Sequence, residues 1–133
     1  MAGYRYPEEK NSATRLNQFV LAYFPDEYHP YADGRLWTFR CRMFHAFSPV
    51  GFSLTHHRSD LHLAMGSNGQ PVLNGEDFYA AMLHAAQRYF AALRTNPALQ
   101  TALLRRLDDP SGGAVTVGAV TLHGFSGSRL TST

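Results

Sequence analysis

The segment from Glu76 to about Thr95 constrains the fold most, because it is apolar around most of its circumference. Read as a helix, it carries two adjacent apolar stripes and only a narrow polar face that includes His84. One stripe holds Phe78, Met82, Ala85, Tyr89 and Leu93, and the other holds Tyr79, Leu83, Ala86 and Phe90. We therefore expect a central helix that packs on a sheet and on at least one further element.

A second helix is predicted from about residue 12 to residue 24. Its apolar residues recur at i, i+3, i+4, i+7 and i+8, which places them on one helix face. They are Leu16, Phe19, Val20, Tyr23 and Phe24. Asn11 or Ser12 can cap the first turn. Pro25 ends the helix, because the residue before a proline is driven out of helical geometry.

A third helix is predicted directly after the central one. Asn96 is a suitable cap, and Pro97 suits the first helical position, where its missing N–H is not needed. Leucines then recur every fourth residue, at positions 99, 103 and 107. The run Asp108–Gly113 contains the residue types that stop helices. The pattern predicts a short amphipathic helix packed against the central one.

Between the first and the central helix, the apolar spacing changes to a period of two, which is typical of strands. Residues 37 to 43 alternate apolar and polar side chains, with Arg40 and Arg42 on the polar face. Phe52 and Leu54 indicate a second strand. Residues 61 to 65 form either a third strand or, if residues 58 to 60 do not turn the chain, the end of one long strand over 52–65.

Two further strands complete the predicted sheet. Asn68-Gly69 favours a tight hairpin turn because both residues tolerate a positive φ, and Val72-Leu73 then returns as a short strand. Ala114 to His123 is predicted as the final strand. The predicted class is α+β: an N-terminal helix, an antiparallel or mixed sheet of four to five strands, two consecutive helices on one face, and a C-terminal strand.

The length of 133 residues suits a single domain spanning 1–133, with an irregular arm over 1–10 and a flexible tail over 126–133. The single cysteine, Cys41, excludes an intramolecular disulfide. No secretory signal and no stretch of about 20 apolar residues is present, so a cytoplasmic location is predicted. Eleven arginines against one lysine, with abundant Ala and Gly, indicate a GC-rich bacterium or its phage as the source.

No phosphate-binding loop, dinucleotide fingerprint, nucleophile elbow or zinc signature occurs in the chain. Catalysis is therefore not predicted, and no cofactor is expected. The exception concerns His56, His57 and His62, which surround Asp60. If residues 58 to 60 form a hairpin loop, His56 faces His62 across the ladder, and these side chains become candidate zinc ligands with Asp60 or His45 as a third.

A surface for a partner is predicted around the loop that follows the first helix. Tyr is over-represented at interface hot spots, and Arg offers a planar fork for carboxylates or phosphates. The candidate residues are Tyr28, His29, Tyr31, Arg35, Arg40 and Arg42. The net charge of +2 is too small for a general nucleic-acid binder, so a protein partner is favoured over nucleic acid.

The predicted function is a non-catalytic protein–protein interaction, of the kind served by small inhibitors, immunity or anti-defence factors and assembly subunits. The wide apolar face of the 76–95 helix also suggests a homo-oligomer. One alternative is a metal-binding protein or enzyme that uses His56, His57 and His62. Another is a nucleic-acid binder that acts through Arg35, Arg40 and Arg42. No association with a membrane is expected.

Overall fold

Helices dominate the architecture. The computed structural model describes residues 1–108, which form five α-helices, two short 3₁₀ helices and two short strands. The α-helices are α1 (Ala2–Arg5), α2 (Ser12–Tyr23), α3 (Arg35–Ala46), α4 (Gly75–Thr95) and α5 (Pro97–Asp108). The 3₁₀ helices cover Asp26–Tyr31 and Ser59–Leu61, and the strands are β1 (Ser53–Thr55) and β2 (Val72–Asn74). Over these residues the predicted α+β class with four to five strands is wrong.

The three helices that were predicted from apolar periodicity are confirmed as α2, α4 and α5. The Asn11 side chain caps α2 by accepting bonds from the amides of Ala13 and Thr14. Asn96 caps α5 in the same way. In each case a residue that satisfies otherwise unpaired helix amides marks the start of the helix.

The strand predicted over residues 37 to 43 is instead the helix α3. Its apolar residues allow both periods, because Phe39 and Met43 stand four residues apart and also belong to the alternating run, whereas Leu36, three residues before Phe39, fits only the helical period. Packing selects the helix: Leu36 and Phe39 are buried against α2 and α4, and Met43 is half-buried beside them. As a consequence, Arg40 and Arg42 no longer share a face.

The sheet has two strands, and they run parallel, with Leu54 opposite Leu73. A turn at Asn68-Gly69 is confirmed, since the Gly66 amide donates to the Gln70 carbonyl, but of the two residues Gly69 alone has a positive φ, +74°. The stretch before it contributes only an isolated antiparallel bridge, from Met65 to Pro71. A single strand over 52–65 is excluded, because the chain turns through Ser59–Leu61.

The N-terminal arm is more regular than predicted. Ala2–Arg5 forms one helical turn, α1, which packs against α2 and α5. The Arg5 Nε donates to the hydroxyl of Tyr23, and the Tyr6 hydroxyl donates to the Gln18 carbonyl. The predicted strand 114–123 and the predicted tail 126–133 lie outside the described residues.

Aromatic rings form much of the core, and α4 runs through its centre. Tyr28, Tyr89 and Phe52 are almost fully buried, and α4 presents Ala81 and Ala85 to the same core. The second apolar stripe of α4 behaves differently: its members Tyr79, Leu83 and Phe90 are each 46 to 59% exposed. Within residues 1–108, the first predicted stripe is therefore mostly covered, apart from Met82 at 38% exposure, whereas the second is left exposed.

Candidate functional site

An apolar groove lies between α2, α3 and α4, and we call it the α2–α3–α4 groove. Its volume is about 550 Å³, within the range of ligand-binding clefts. All three helices contribute side chains to its walls, among them Leu16, Phe39, Met43, Phe44, Phe47 and Met82. The arrangement offers an apolar partner a concave surface that is already formed.

Phe47 lies at this groove in a strained backbone conformation. It ends α3 with φ +49°, in the left-handed region that favours glycine. The Phe47 amide donates to the Met43 carbonyl and the Ser48 amide to the Arg42 carbonyl, which closes the last turn. The ring is nevertheless 86% exposed, and that of Phe44 is 72% exposed. A glycine would end this helix more easily, so the packing of α3 does not explain the aromatic ring at position 47.

Among residues 1–108, one charged side chain borders the groove, and it is an arginine. Arg40 lines the groove, with its guanidinium 5.3 Å from the Trp37 ring centre and 5.6 Å from that of Phe44. A second depression of about 400 Å³ shares Leu16 and Arg40 with the groove. Its further charged side chains are Arg15 and Arg106. The apolar floor is therefore bordered by positive charge.

Most of the residues that were predicted to contact a partner do not lie on one common surface of the structure. Tyr28 is fully buried, and burial raises the pKa of its phenol. His29 is half-buried, and Tyr31 packs its ring 5.4 Å from that of Phe52.

The three predicted arginines, Arg35, Arg40 and Arg42, do not form one common face either. Arg35 is held by two hydrogen bonds to Asp33. Arg42 is exposed, but two positions along a helix turn it about 200° away from Arg40. Of the six candidates, Arg40 alone lines the groove.

Among the groove residues, Met43, Phe44 and Phe47 were missed as a binding surface, whereas Met82 lies on the apolar face of the 76–95 helix that was predicted as a possible oligomer interface. The first three belong to the segment that was misread as a strand and its following turn. The signal that could have found them is the spacing of Leu36, Phe39, Met43 and Phe47 at i, i+3, i+7 and i+11. This spacing continues past the buried part of the helix to the exposed Phe47.

A second polar arrangement lies beyond the end of β1, and we call His56, His57 and Glu76 the histidine cluster. One potential ligand atom from each residue falls within 4.8 Å of the others. The His57 Nδ1 lies 2.9 Å from a Glu76 oxygen, and the His57 amide donates to the same carboxylate. A hydrogen bond from the backbone amide of Glu76 itself lowers the pKa of its carboxyl most, and the bond from the His57 amide lowers that pKa further.

His62 and Asp60, which were predicted beside these histidines, have other partners. His62 accepts the Asn74 amide proton at Nδ1, so its Nε2 carries the proton and donates to the Tyr28 hydroxyl 2.8 Å away. Asp60 receives two hydrogen bonds from Arg58. Neither side chain turns toward the histidine cluster, and both ring nitrogens of His62 are engaged.

Comparison with known proteins gives no indication of function, so the geometry of these two sites is the basis for proposing one. No family model, curated protein or solved structure matches the chain. Within residues 1–108, no helix has both the length and the apolar character that a bilayer span requires.

Proposed function

We propose that the chain is a non-catalytic protein-binding module. In this proposal its α2–α3–α4 groove receives an amphipathic helical segment of a partner protein, apolar on one face and acidic along the flanks. The observation that carries the proposal is Phe47, a strained residue whose aromatic ring is held in solvent at the groove.

The exposure of the groove supports an apolar partner surface. Phe44 and Phe47 are 72% and 86% exposed, and Met82 beside them is 38% exposed. Aromatic residues and methionine are enriched at protein interfaces, where burial of a large side chain returns about 1.5–3 kcal/mol. A cluster of such side chains around a formed groove is typical of an interaction site.

The charges of the groove support an acidic flank on the partner. Arg40 lines the groove itself, and Arg15 and Arg106 line the adjoining depression. Arg40 lies against two rings and forms no ion pair within residues 1–108. Carboxylates on a bound helix could meet this guanidinium in bidentate geometry, which would orient the helix in the groove.

The shape of the groove supports a helix as the occupant. Its walls are three helices, and ridges of side chains from a fourth can fit between them. Helix-in-groove recognition places anchors at i, i+3, i+4 and i+7. Nucleic acid is a poorer fit, because Arg35 is paired with Asp33 and Arg42 turns away from Arg40.

The test is a titration with a synthetic helical peptide that has leucines at i, i+3, i+4 and i+7 and glutamates along the flanks. We expect saturable binding by fluorescence anisotropy to the full chain. A matched peptide with lysines in place of the glutamates should bind at least about tenfold more weakly, because its charges meet Arg40. Equal affinity for the two peptides would contradict the proposed charge selection.

Two variants locate the binding surface. Phe47→Gly should weaken the affinity for the acidic peptide by about tenfold or more, because an exposed aromatic anchor is lost. Leu83→Ala removes an exposed apolar side chain that lies outside the groove, and it should leave the affinity unchanged. If Leu83→Ala weakened the affinity for the peptide and Phe47→Gly did not, binding would lie on the second stripe of α4. The same conclusion would follow if light scattering showed a dimer that dissociates in Leu83→Ala. Either result overturns the proposal.

A further inference from the structure

The histidine cluster has the composition and geometry of an open metal site. We infer that His56, His57 and Glu76 bind a divalent transition metal of the zinc class, with a fourth coordination position left for water or an external donor. This site is separate from the α2–α3–α4 groove and does not depend on the proposed function. Its ligand set differs from the one predicted from sequence, since Glu76 replaces His62 and Asp60.

Backbone strain brings the two imidazoles to one side of the chain. Successive side chains of a strand point to opposite faces, so His56 and His57 would diverge if β1 continued. His57 instead adopts φ +55°, a conformation that is uncommon for residues other than glycine. The two ring centres then lie 4.8 Å apart, with the ring planes at 79°. Strain of this kind is concentrated at functional sites.

The strand register supplies the carboxylate. Thr55 lies opposite Asn74 in the parallel pair, so two residues further along both segments His57 meets Glu76. The two Glu76 oxygens lie 3.1 and 3.2 Å from the His57 amide nitrogen, and one of them lies 2.9 Å from Nδ1. One oxygen can keep the amide bond while the other turns to a metal.

The distances need only small side-chain rotations to form a coordination shell. Zinc binds imidazole nitrogen and carboxylate oxygen at about 2.0–2.1 Å, which separates tetrahedral ligands by roughly 3.3 Å. The candidate atoms already lie within 4.8 Å of one another. His57 and Glu76 are exposed over 81% and 49% of their side chains, so rotation meets little packing.

The donor set indicates which metal is bound. Two imidazoles and one carboxylate suit zinc, cobalt and nickel, whereas magnesium and calcium prefer shells of oxygen. Sites with three protein ligands leave a position for an exchangeable ligand. The ligand expected here is therefore a zinc-class ion that remains accessible from solution.

The test is isothermal titration of the metal-free full chain with zinc chloride. We expect saturable binding of one ion, and no comparable binding of magnesium. His56→Ala and Glu76→Gln should each raise the dissociation constant at least about tenfold, because the loss of a ligand matters at least as much as the loss of an outer-shell partner. His84→Ala, at an exposed position on α4, is the matched control and should bind as the wild type does.

Two readouts distinguish coordination by these three side chains from a loss of folding in the variants. A cobalt-loaded sample should show visible absorption bands that are lost in Glu76→Gln, and the circular dichroism of that variant should match the wild type. Glu76→Gln should also bind the acidic peptide as the wild type does. The metal site and the peptide-binding groove are therefore tested independently of each other. Zinc affinity that changes less than tenfold in either ligand variant overturns the inference, as does the absence of saturable binding.

Discussion

The α2–α3–α4 groove and the histidine cluster differ in almost every respect except one. The groove is apolar and is assembled from helices far apart in the chain, whereas the cluster is polar and lies where two short strands end. Both contain a residue other than glycine in the left-handed region, Phe47 in the groove and His57 in the cluster. In both, the side chain of the strained residue is exposed.

A third strained residue shows why exposure matters to this comparison. Leu63 has φ +58°, but its side chain is half-buried and packs against the core. Its amide also donates to the Val72 carbonyl at 2.7 Å. Because the amide of Phe47 is also bonded, it is the burial of its side chain that accounts for the strain at Leu63. No such packing accounts for Phe47 or His57, which is why their side chains are the ones we assign to binding.

The largest effect on the free energy of unfolding is expected when a variant of His62 is compared with a variant of His57. His62→Ala leaves the buried Tyr28 hydroxyl and the Asn74 amide without their partner, so the free energy of unfolding should fall by about 2–4 kcal/mol. His57→Asn keeps a residue that tolerates a positive φ and should change this free energy by less than about 0.5 kcal/mol. Urea unfolding measures both. An equal loss of unfolding free energy in the two variants would contradict the assignment of a structural role to His62 and not to His57.

An intermediate effect on the free energy of unfolding is expected when each of the two exposed phenylalanines of the groove is replaced by glycine. Phe47→Gly relieves left-handed strain, and the added chain entropy offsets part of the gain, so the free energy of unfolding should rise by up to about 1 kcal/mol. Phe44→Gly lies inside α3 and should lower it by about 0.5–1 kcal/mol. Thermal and urea unfolding check the signs. A loss of stability in Phe47→Gly would show that the ring supports the fold.

The smallest effect concerns acid stability at the first turn of α4. Hydrogen bonds from Ser59 and Asn74 lower the pKa of Asp77 below its ordinary value of 3.8. Because the folded value is the lower one, this contribution is complete above the unfolded pKa and is lost as the pH falls through the folded pKa. Asp77→Asn should flatten the decline of the urea midpoint below about pH 4.

The helices α2, α4 and α5 could be predicted because each has a clear helical period, and in α2 and α5 an asparagine cap marks the start of the same helix. For α3 the period is ambiguous, because Phe39 and Met43 also fit the alternation of a strand, and the residue before the helix, Gly34, offers no side-chain cap. Only packing against α2 and α4 decides between strand and helix. Since Phe44 and Phe47 belong to this segment, the groove could not be predicted either.

The candidate metal site was predictable in part. His56 and His57 are conspicuous in the sequence, but the predicted hairpin loop over residues 58–60 is wrong, because the chain turns there through a 3₁₀ helix and His62 does not face His56. Glu76 was missed because it joins them through the parallel pairing of β1 and β2, which no local pattern encodes. The hairpin signal at Asn68-Gly69 was correct, but it gave no information about a parallel partner of Val72–Asn74.

The most direct test of the central claim is to map the acidic helical peptide onto the full chain by NMR chemical-shift perturbation. The account predicts saturable shifts at Met43, Phe44, Phe47 and Met82, with little change at His56 and His57. It also predicts that these shifts are lost in Phe47→Gly while the rest of the spectrum is preserved. Saturable shifts confined to Tyr79, Leu83 and Phe90, or to the histidine cluster, would contradict it.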